Sequence, residues 1–428
     1  MSEWKEYKIS EIGKVITGKT PSSKNPEEWG NIVAFVTPTD FDSYNKSIEG
    51  SIRYLSKKGT NVFYSKLLPI NSVIVTCIGS QMGKVALNKV PCVTNQQINS
   101  IIPNKDFNSD FIYYVISSMQ GYLRNLATGG STMPIVNKSD FENISISAPD
   151  LPAQIAIAEI LSSLDDKIEL NNKINQELEN LAQTIFKQWF IDFEFPNENG
   201  EPYKSSGGEM VDSELGEIPK GWEVYRFKEI VSKYIDNRGK TPPIANDGIP
   251  LVEVRQMVDT GIYPSLRTDK FLSKEVYDTF LRGHLLKDDI LMSTVGTIGR
   301  LNIVPDFQIF AIAQNVLGIR FNKDLTSQFF MFCLMRTKDF NDEINSRLIE
   351  TVQSSIKRSD LEKIPVILPK LILVERFDSL IRDIFDRIKN SALEIEELTN
   401  LRDILLSKLI SGELHVTSKK TNTNYKLS

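Results

Sequence analysis

The segment from Pro152 to Phe190 constrains this chain more than any other part of its sequence. Two sets of apolar residues recur in it at helical steps of three and four: Ile157, Leu161, Leu164 and Ile168, then Ile174, Leu178, Leu181 and Ile185. This spacing predicts an amphipathic helix that packs against a second helix, with its seam shifted by one residue near Asn171. No glycine and no further proline interrupts it, so at ~1.5 Å per residue the helix would extend roughly 58 Å. A helix of that length is typical of a spacer.

The length and composition of the chain indicate a water-soluble protein with more than one domain. At 428 residues it exceeds the size of one ordinary hydrophobic core. Its apolar stretches are shorter than the ~20 residues of a membrane span, and residues 1–13 lack the apolar core of a signal peptide. Cys77, Cys92 and Cys333 show no metal-binding spacing and are typical of free thiols in a reducing compartment. We therefore expect a cytoplasmic protein.

A second copy of the first half lies about 220 residues downstream, a period far longer than the ~20–50 residues of solenoid repeats. The matched segments, in the same order, are 17–21 (TGKTP) with 238–242 (RGKTP), 73–84 with 289–300, 95–98 with 313–316, and 138–144 with 358–364. The amphipathic pattern also recurs from Leu371 to Ser411, before Gly412. These matches predict a tandem duplication of a unit made of a globular domain and a long helix.

The predicted fold class is α+β, because each globular part mixes strand-like and short helical segments. The expected boundaries are a first domain at 1–150, a long helix at 151–195, a linker at 196–220, a second domain at 221–369, a second long helix at 370–414 and a polar tail at 415–428. The composition of the tail predicts disorder.

The sequence offers little for catalysis. Gly13–Thr20 matches the phosphate-binding pattern GxxxxGK[ST], but Pro21 and Pro26 follow where a helix should begin, and Tyr234 replaces the first glycine in the second copy. The two histidines, His284 and His415, lie on unrelated segments. We therefore predict a binding protein with no catalytic residue, cofactor or metal of its own. A structural adaptor that binds only protein and a nucleotide-binding enzyme remain as alternatives.

Several motifs together resemble the specificity (S) subunits of type I restriction–modification systems. They are the paired GKTP loops, the NQQI element at 95–98, Gln154 near the start of the first long helix, the segment FKQWFIDF at 186–193 and the segment ELGEIPKGW at 214–222. The resemblance covers nearly the full length. Two positions depart from it, since Ala153 stands where the family commonly has an acidic residue and the second helix begins at 368–371 without a glutamine.

The resemblance implies a fold and a function. Each globular part would be a target recognition domain, and the two helices would form an antiparallel coiled coil with pseudo-two-fold symmetry. The subunit would be non-catalytic and bind double-stranded DNA at a bipartite, asymmetric target, one domain per half-site. It would recruit two methyltransferase (M) subunits, which methylate adenine at N6, and two restriction (R) subunits. S-adenosylmethionine, ATP and Mg would be used by those partners. If the helices act as a ruler, one added turn should change the gap between half-sites and leave the bases unchanged.

Candidate DNA-binding residues are polar or basic side chains on glycine-rich or matched loops, because base edges and phosphates are read by such groups. In the first domain they are Lys19, Thr20, Ser80, Gln81, Lys84, Gln96, Gln97, Ser131, Thr132 and Lys138. In the second domain they are Lys240, Thr241, Thr297, Arg300, Gln314, Asn315, Gln353, Ser354, Ser355, Lys357 and Arg358.

Two considerations weigh against a DNA-binding role for part of this set. The formal net charge of −5 argues against a protein that coats DNA, so contacts would be confined to locally basic loops. In addition, the GKTP loops and the glutamines are kept in both copies. Features kept in both copies fit a shared fold better than two different specificities, so Gln96 is equally well interpreted as an internal hydrogen-bonding residue.

Overall fold

The computed structural model describes residues 3–42, 46–126, 135–237, 239, 241–258, 261–348 and 354–416, apart from the side chains of Asp42 and Ser80. The chain forms two compact units. Unit 1 comprises Met1–Leu170 and Glu396–Ser428, and unit 2 comprises Asn171–Ile395. Within the described ranges, no helix has both the length and the apolar character needed to cross a membrane.

Unit 1 is built mainly of short strands. They are β1 (Lys5–Lys8), β2 (Gly13–Thr17), β3 (Trp29–Gly30), β4 (Val33–Val36), β5 (Ser47–Ile48), β6 (Arg53–Leu55), β7 (Val73–Thr76), β8 (Val85–Asn88), β9 (Cys92–Thr94), β10 (Ile98–Pro103) and β11 (Ser145–Ala148). The α-helices of its globular domain are α1 (Ile9–Ile12), α2 (Lys57–Val62), α3 (Ser109–Ser118), α4 (Gln120–Leu126) and α5 (Lys138–Glu142). Short 3-10 turns lie at Pro26–Glu28, Pro38–Asp42, Tyr64–Lys66 and Gly79–Gln81.

Two sheets form the frame of unit 1. The larger has the order β2-β10-β7-β8-β5, and the smaller has the order β3-β6-β4-β9. Strand β7 shows the period-2 alternation that places one sheet between two cores. Val73 and Val75 pack with helix α3 residues such as Phe111, whereas Ile74 packs with Ala34 of the smaller sheet. Strands β1 and β11 pair separately and bring the two ends of the domain together.

Unit 2 repeats this architecture. Its strands are β12 (Met210–Ser213), β13 (Gly216–Pro219), β14 (Glu223–Arg226), β15 (Val231–Ile235), β16 (Ile249–Val252), β17 (Phe271–Leu272), β18 (Ile290–Ser293), β19 (Leu301–Ile303), β20 (Ala311–Ile312), β21 (Val316–Phe321) and β22 (Pro365–Leu368). The sheet β15-β21-β18-β19 corresponds to β2-β10-β7-β8, the sheet β17-β16-β20 corresponds to β6-β4-β9, and the pair β14-β22 corresponds to β1-β11. The duplication inferred from the sequence is therefore present in these nine matched strands, whereas β3 and β5 of unit 1 and the β12-β13 hairpin of unit 2 have no counterpart.

Each long helix contributes to both units. Helix α6 (Leu151–Phe186) continues as a π-helical turn at Lys187–Ile191. The remaining helices of unit 2 are α7 (Phe227–Ile230), α8 (Lys274–Phe280), α9 (Gln328–Met335), α10 (Lys338–Asn345), α11 (Arg358–Leu361) and the second long helix α12 (Leu371–Ile410). A 3-10 turn lies at Val254–Gln256.

The two long helices are antiparallel where they pack. In unit 2, Asn171 Nδ2 lies 2.8 Å from Glu394 Oε2, and the Phe186 and Phe377 rings are 5.7 Å apart. As the residue number rises on α6, the number of the partner on α12 falls. The pattern within unit 1 is the same, since Asp165 is paired with Arg402 and Leu161 shares a buried cluster with Leu409. The predicted α+β class with antiparallel helices is confirmed.

The predicted seam of α6 is correct in unit 1 and only half correct in unit 2, where Leu178 and Ile185 pack partly buried against the core. Ile157, Leu161 and Ile168 are buried as expected. In unit 2, however, Ile174 and Leu181 are 40% and 48% exposed. The buried positions there are instead Asn171, Asn175, Glu179, Ala182 and Phe186. Two of the polar residues in this seam have partners on other elements, Glu394 for Asn171 and Arg336 for Glu179 Oε2 at 2.9 Å. The Oδ1 of Asn175 and the Oε1 of Glu179 are buried without a hydrogen-bond partner.

The segment 196–220, expected to be a linker, carries regular structure within unit 2. Strands β12 and β13 form an antiparallel hairpin. Before it, the ring of Tyr203 stacks on Phe195 at 4.6 Å, and Phe195 stacks on Trp222 at 5.4 Å. These aromatic contacts hold the segment against unit 2.

Candidate functional site

Four loops meet at one end of the larger sheet of unit 1. Strand β2 ends at Thr17, directly before the GKTP loop, and β7 ends at Thr76, before the turn into β8. Strand β10 begins at Ile98, directly after residues 95–97. These strands are adjacent and antiparallel, so the three loops share one end of the sheet. The fourth loop joins them through the Val136 N–H, which donates to the Cys77 carbonyl at 3.0 Å. We call this region, residues 18–21, 77–84, 95–97 and 135–137, the loop end of unit 1.

Unit 2 has an equivalent loop end. It consists of the described residues among 236–242 together with 294–300, 313–315 and 354–357. Strand β15 runs into the first of these loops, β18 ends before the second, and β21 follows the third. The Ile356 N–H donates to the Thr294 carbonyl at 3.1 Å, which repeats the bond from Val136 to Cys77. The structure therefore brings most of the candidate residues together at matching places in the two units.

The GKTP loop of unit 1 does not have the geometry of a phosphate-binding loop. Gly13–Thr17, which would have to wrap around phosphates, is instead strand β2, paired along its length with β10. Gly18 packs so closely that a Cβ atom would lie 2.2 Å from the Thr94 carbonyl oxygen. Only a 3-10 turn at Pro26–Glu28 follows, without the helix whose N-terminus would meet the phosphates. This placement argues against the nucleotide-binding alternative.

A threonine–glutamine hydrogen bond links the GKTP loop to the neighbouring loop in both units. Thr20 Oγ1 donates to Gln96 Oε1 at 2.6 Å. In unit 2, Gln314 Nε2 donates to Thr241 Oγ1 at 2.8 Å. Both bonds are exposed to solvent. The interpretation of Gln96 as an internal hydrogen-bonding residue thus has a specific partner.

The glycine turns are also built alike. In unit 1 the Thr76 hydroxyl accepts from the Lys84 N–H at 3.0 Å, and in unit 2 the Ser293 hydroxyl accepts from the Arg300 N–H at 2.9 Å. Both turns require glycines with positive φ, such as Gly83 at 79° and Gly299 at 82°. The turn of unit 1 is one residue longer, so it presents Gln81 where the turn of unit 2 presents Thr297.

The other candidates differ in how firmly they are held. The Gln97 side chain accepts from Asn95 Nδ2 at 3.0 Å and is half-buried, whereas Asn315 is exposed. Ser354 and Ser355 line the fourth loop of unit 2 through backbone contacts with Gly296 and Val295. Ser131, Thr132, Lys240 and Gln353 lie outside the described residues, as does the side chain of Ser80.

The basic candidates lie on the surface, where salt bridges are weak at about 0–1 kcal/mol. Lys138 pairs with Glu142 at 3.3 Å, and Arg358 pairs with Glu362 at 3.1 Å. Lys19 and Lys357 are exposed, and Lys84 is half-exposed. The guanidinium of Arg300 contributes to packing, since its NH1 donates to the Met257 carbonyl at 3.3 Å.

Sequence reasoning missed two arginines next to the loop ends. Arg124 is exposed on α4, and its Nε donates to the Met82 carbonyl at 3.4 Å. Arg282 is exposed, and its NH2 lies 4.0 Å from where a Cβ of Gly239 would be. Both lie about 40 residues from the loops they approach, so charge was their only signal in the sequence.

The described residues give no support for a redox or metal centre. They include no group of three or more His, Cys, Asp or Glu side chains able to hold a metal ion. The three cysteines are buried and free. Burial raises the pKa of Cys77 to about 11 and the pKa values of Cys92 and Cys333 to about 12, so these thiols stay protonated near neutral pH.

Comparison with known proteins points to one family. Residues 1–180 and 219–404 match the model of the type I restriction modification DNA specificity domain. The chain is 32% identical over 425 residues to the MjaIX specificity subunit of Methanocaldococcus jannaschii, covering 97% of this chain and 94% of that protein. It is 23% identical to the HindI specificity subunit of Haemophilus influenzae, covering 97% and 100%. The crystal structure of a type I S subunit from M. genitalium shares the fold, with a TM-score of 0.53, 15% identity and coverage of 95% and 96%.

Proposed function

The chain belongs to the type I restriction modification DNA specificity family, and we propose that it reads a bipartite DNA target with one domain on each half-site. The observation that carries this proposal is the pair of loop ends. They rest on equivalent strands, yet they present different side chains: Gln81 against Thr297 and Gln97 against Asn315. Similar frames with different exposed groups suit the reading of two different base sequences.

The positive charges at the loop ends would contact phosphates. In unit 1 these are Lys19, Lys84, Arg124 and Lys138. In unit 2 Lys357 and Arg358 would serve, together with Arg282. Binding that neutralises phosphates releases counterions, so the affinity should fall steeply as salt rises. A net charge of −5 is compatible with this arrangement, because net charge averages over the whole surface and a few positive groups at the loop ends suffice for these contacts.

The long helices would act as spacer and as partner-binding surface. At ~1.5 Å per residue, the 36 residues of α6 extend about 54 Å and the 40 residues of α12 about 60 Å. Exposed apolar residues on them, among them Ile174, Leu181 and Ile404, are available to two M subunits. Methylation of adenine with S-adenosylmethionine would then take place on those subunits. Translocation and cleavage with ATP and Mg would take place on two R subunits. We place this assembly in the cytoplasm.

Methylome sequencing of the host with and without this chain tests the proposal. We expect a bipartite N6-methyladenine motif to disappear when the chain is deleted and to return on complementation. An unchanged methylome would refute the proposed function.

A binding measurement separates DNA recognition from an adaptor that binds only protein. The purified complex with M subunits should protect the motif in a footprint, and log K should fall linearly with log salt at a slope of about −0.9 per phosphate contact. An adaptor that binds only protein would give neither the footprint nor the slope.

A further inference from the structure

The two threonine–glutamine pairs occupy equivalent positions in the two units. Thr20 and Gln96 are joined at 2.6 Å, and Thr241 and Gln314 at 2.8 Å. In each unit the threonine ends the GKT sequence, and the glutamine precedes the strand that begins at Ile98 or Val316. Each pair therefore joins the GKTP loop to the neighbouring loop through side chains.

In unit 1 the backbone also joins these two loops. The Lys19 N–H donates to the Thr94 carbonyl at 2.9 Å, and Gly18 leaves no room for a side chain against the same residue. In unit 2, Asn237 Nδ2 reaches the Ile312 carbonyl at 3.4 Å. The threonine–glutamine bond therefore acts on two loops that other hydrogen bonds already hold side by side.

Both units use the same two residue types in this pair, so the pairs cannot distinguish one half-site from the other. Two domains that read different bases need different contact groups, yet both use threonine and glutamine here. The adjacent residues do differ, with Gln97 in unit 1 and Asn315 in unit 2. In addition, each glutamine amide group already makes a hydrogen bond to its threonine.

We propose that Thr20–Gln96 and Thr241–Gln314 are positioning pairs and not base-reading contacts. They lock the GKTP loop to the neighbouring loop, so that Lys19 and the residue after each glutamine meet DNA without first being ordered. This inference rests on the proposed function, since it assigns residues within the DNA-reading loop ends.

A double-mutant cycle in the complete complex with M subunits tests the inference. The probe is duplex DNA carrying the motif that the wild-type complex methylates. We expect Thr20→Val and Gln96→Ala each to weaken binding by about threefold to tenfold, as for the loss of one ordinary hydrogen bond. The double variant should be no weaker than either single variant, and Thr20→Ser should restore wild-type binding.

The methylated motif provides the second readout. We expect every position of the motif to be unchanged in Gln96→Ala and in Gln314→Ala. Relaxation of one base position would identify the glutamine as a base reader and overturn the inference, and so would singles whose effects multiply in the double variant. Ser23→Ala, which removes an exposed hydroxyl just beyond the same GKTP loop, is the matched control and should bind as wild type.

Different results would refute the proposed function and the positioning role. If the wild-type complex methylates no bipartite motif, the proposed function itself is refuted. If the wild-type motif is present but the glutamine variants alter it, only the positioning role is refuted. Thermal melting of each variant shows whether a weaker complex reflects unfolding, which the surface position of both side chains argues against.

Discussion

Replacement of Asp165 by asparagine should lower the free energy of unfolding of unit 1 by about 1–3 kcal/mol. This is the range for lost hydrogen bonds to a charged group. Asp165 lies on α6, and its side chain is 12% exposed. It accepts a hydrogen bond from the Tyr114 hydroxyl at 2.5 Å and one from Arg402 NH1 at 2.8 Å. It thereby ties helix α3 of the globular domain to both long helices.

The magnitude follows from what the substitution leaves behind. Breaking a buried ion pair usually costs about 3–5 kcal/mol, because the remaining charge has no partner. Here Arg402 keeps Asp403, with Nε and NH2 at 3.0 Å and 2.8 Å from its Oδ1. Burial opposes the charge on Arg402, but its two carboxylate partners raise its pKa above the usual value. The amide oxygen of asparagine can also still accept from Tyr114. We therefore expect a loss of about 1–3 kcal/mol and not the about 3–5 kcal/mol of an ion pair left with an unpaired charge.

Hydrogen exchange measured by mass spectrometry on the full chain is the appropriate assay, since a chain of two units need not unfold in one step. Amides of Ser109–Ser118 should exchange faster in Asp165→Asn, and the melting temperature should fall by about 2–4 °C per kcal/mol. Asp166→Asn is the matched control, because Asp166 is its exposed neighbour and should change stability by less than about 0.5 kcal/mol. Equal effects of the two substitutions would refute the reasoning.

Three further perturbations have definite expected outcomes. Burial raises the pKa of the Asp378 carboxyl from 3.8 to about 6 despite a hydrogen bond from Ser327. The folded state therefore binds the proton more tightly than the unfolded state, and the contribution of this group to stability falls as pH rises from about 4 to about 6. Asp378→Asn should therefore raise the melting temperature at pH 7, and this gain should vanish below about pH 4; a gain independent of pH would contradict the assignment. Lys19→Ala should weaken binding of all duplexes alike and reduce the salt slope by about one phosphate contact, whereas loss of a single base preference would show direct readout. Insertion of seven residues in both α6 and α12 adds about 10 Å to each helix. The gap in the methylated motif should then lengthen by about three base pairs while the bases stay the same, and an unchanged gap would refute the spacer role.

The sequence by itself determined the duplication and the two long helices. Ordered matches at a nearly constant offset required two related domains, and the two units share the order of their main strands. The second long helix, expected over Leu371–Ser411, extends over Leu371–Ile410. Such features depend on local periodicity and on similarity between two parts of one chain, which are both visible without coordinates.

Only the tertiary structure decided which face of α6 is buried in unit 2 and which loops meet. Ile174 and Leu181 have the apolar spacing of a seam, yet the buried positions include Asn171 and Glu179. These two pair with Glu394 and Arg336, which lie far away in sequence. The contact between Thr20 and Gln96 likewise depends on β2 and β10 being neighbours. Helical and strand periods follow from the chain itself, whereas the partner of a buried polar group is set by long-range packing, which leaves no signal in the spacing of residues.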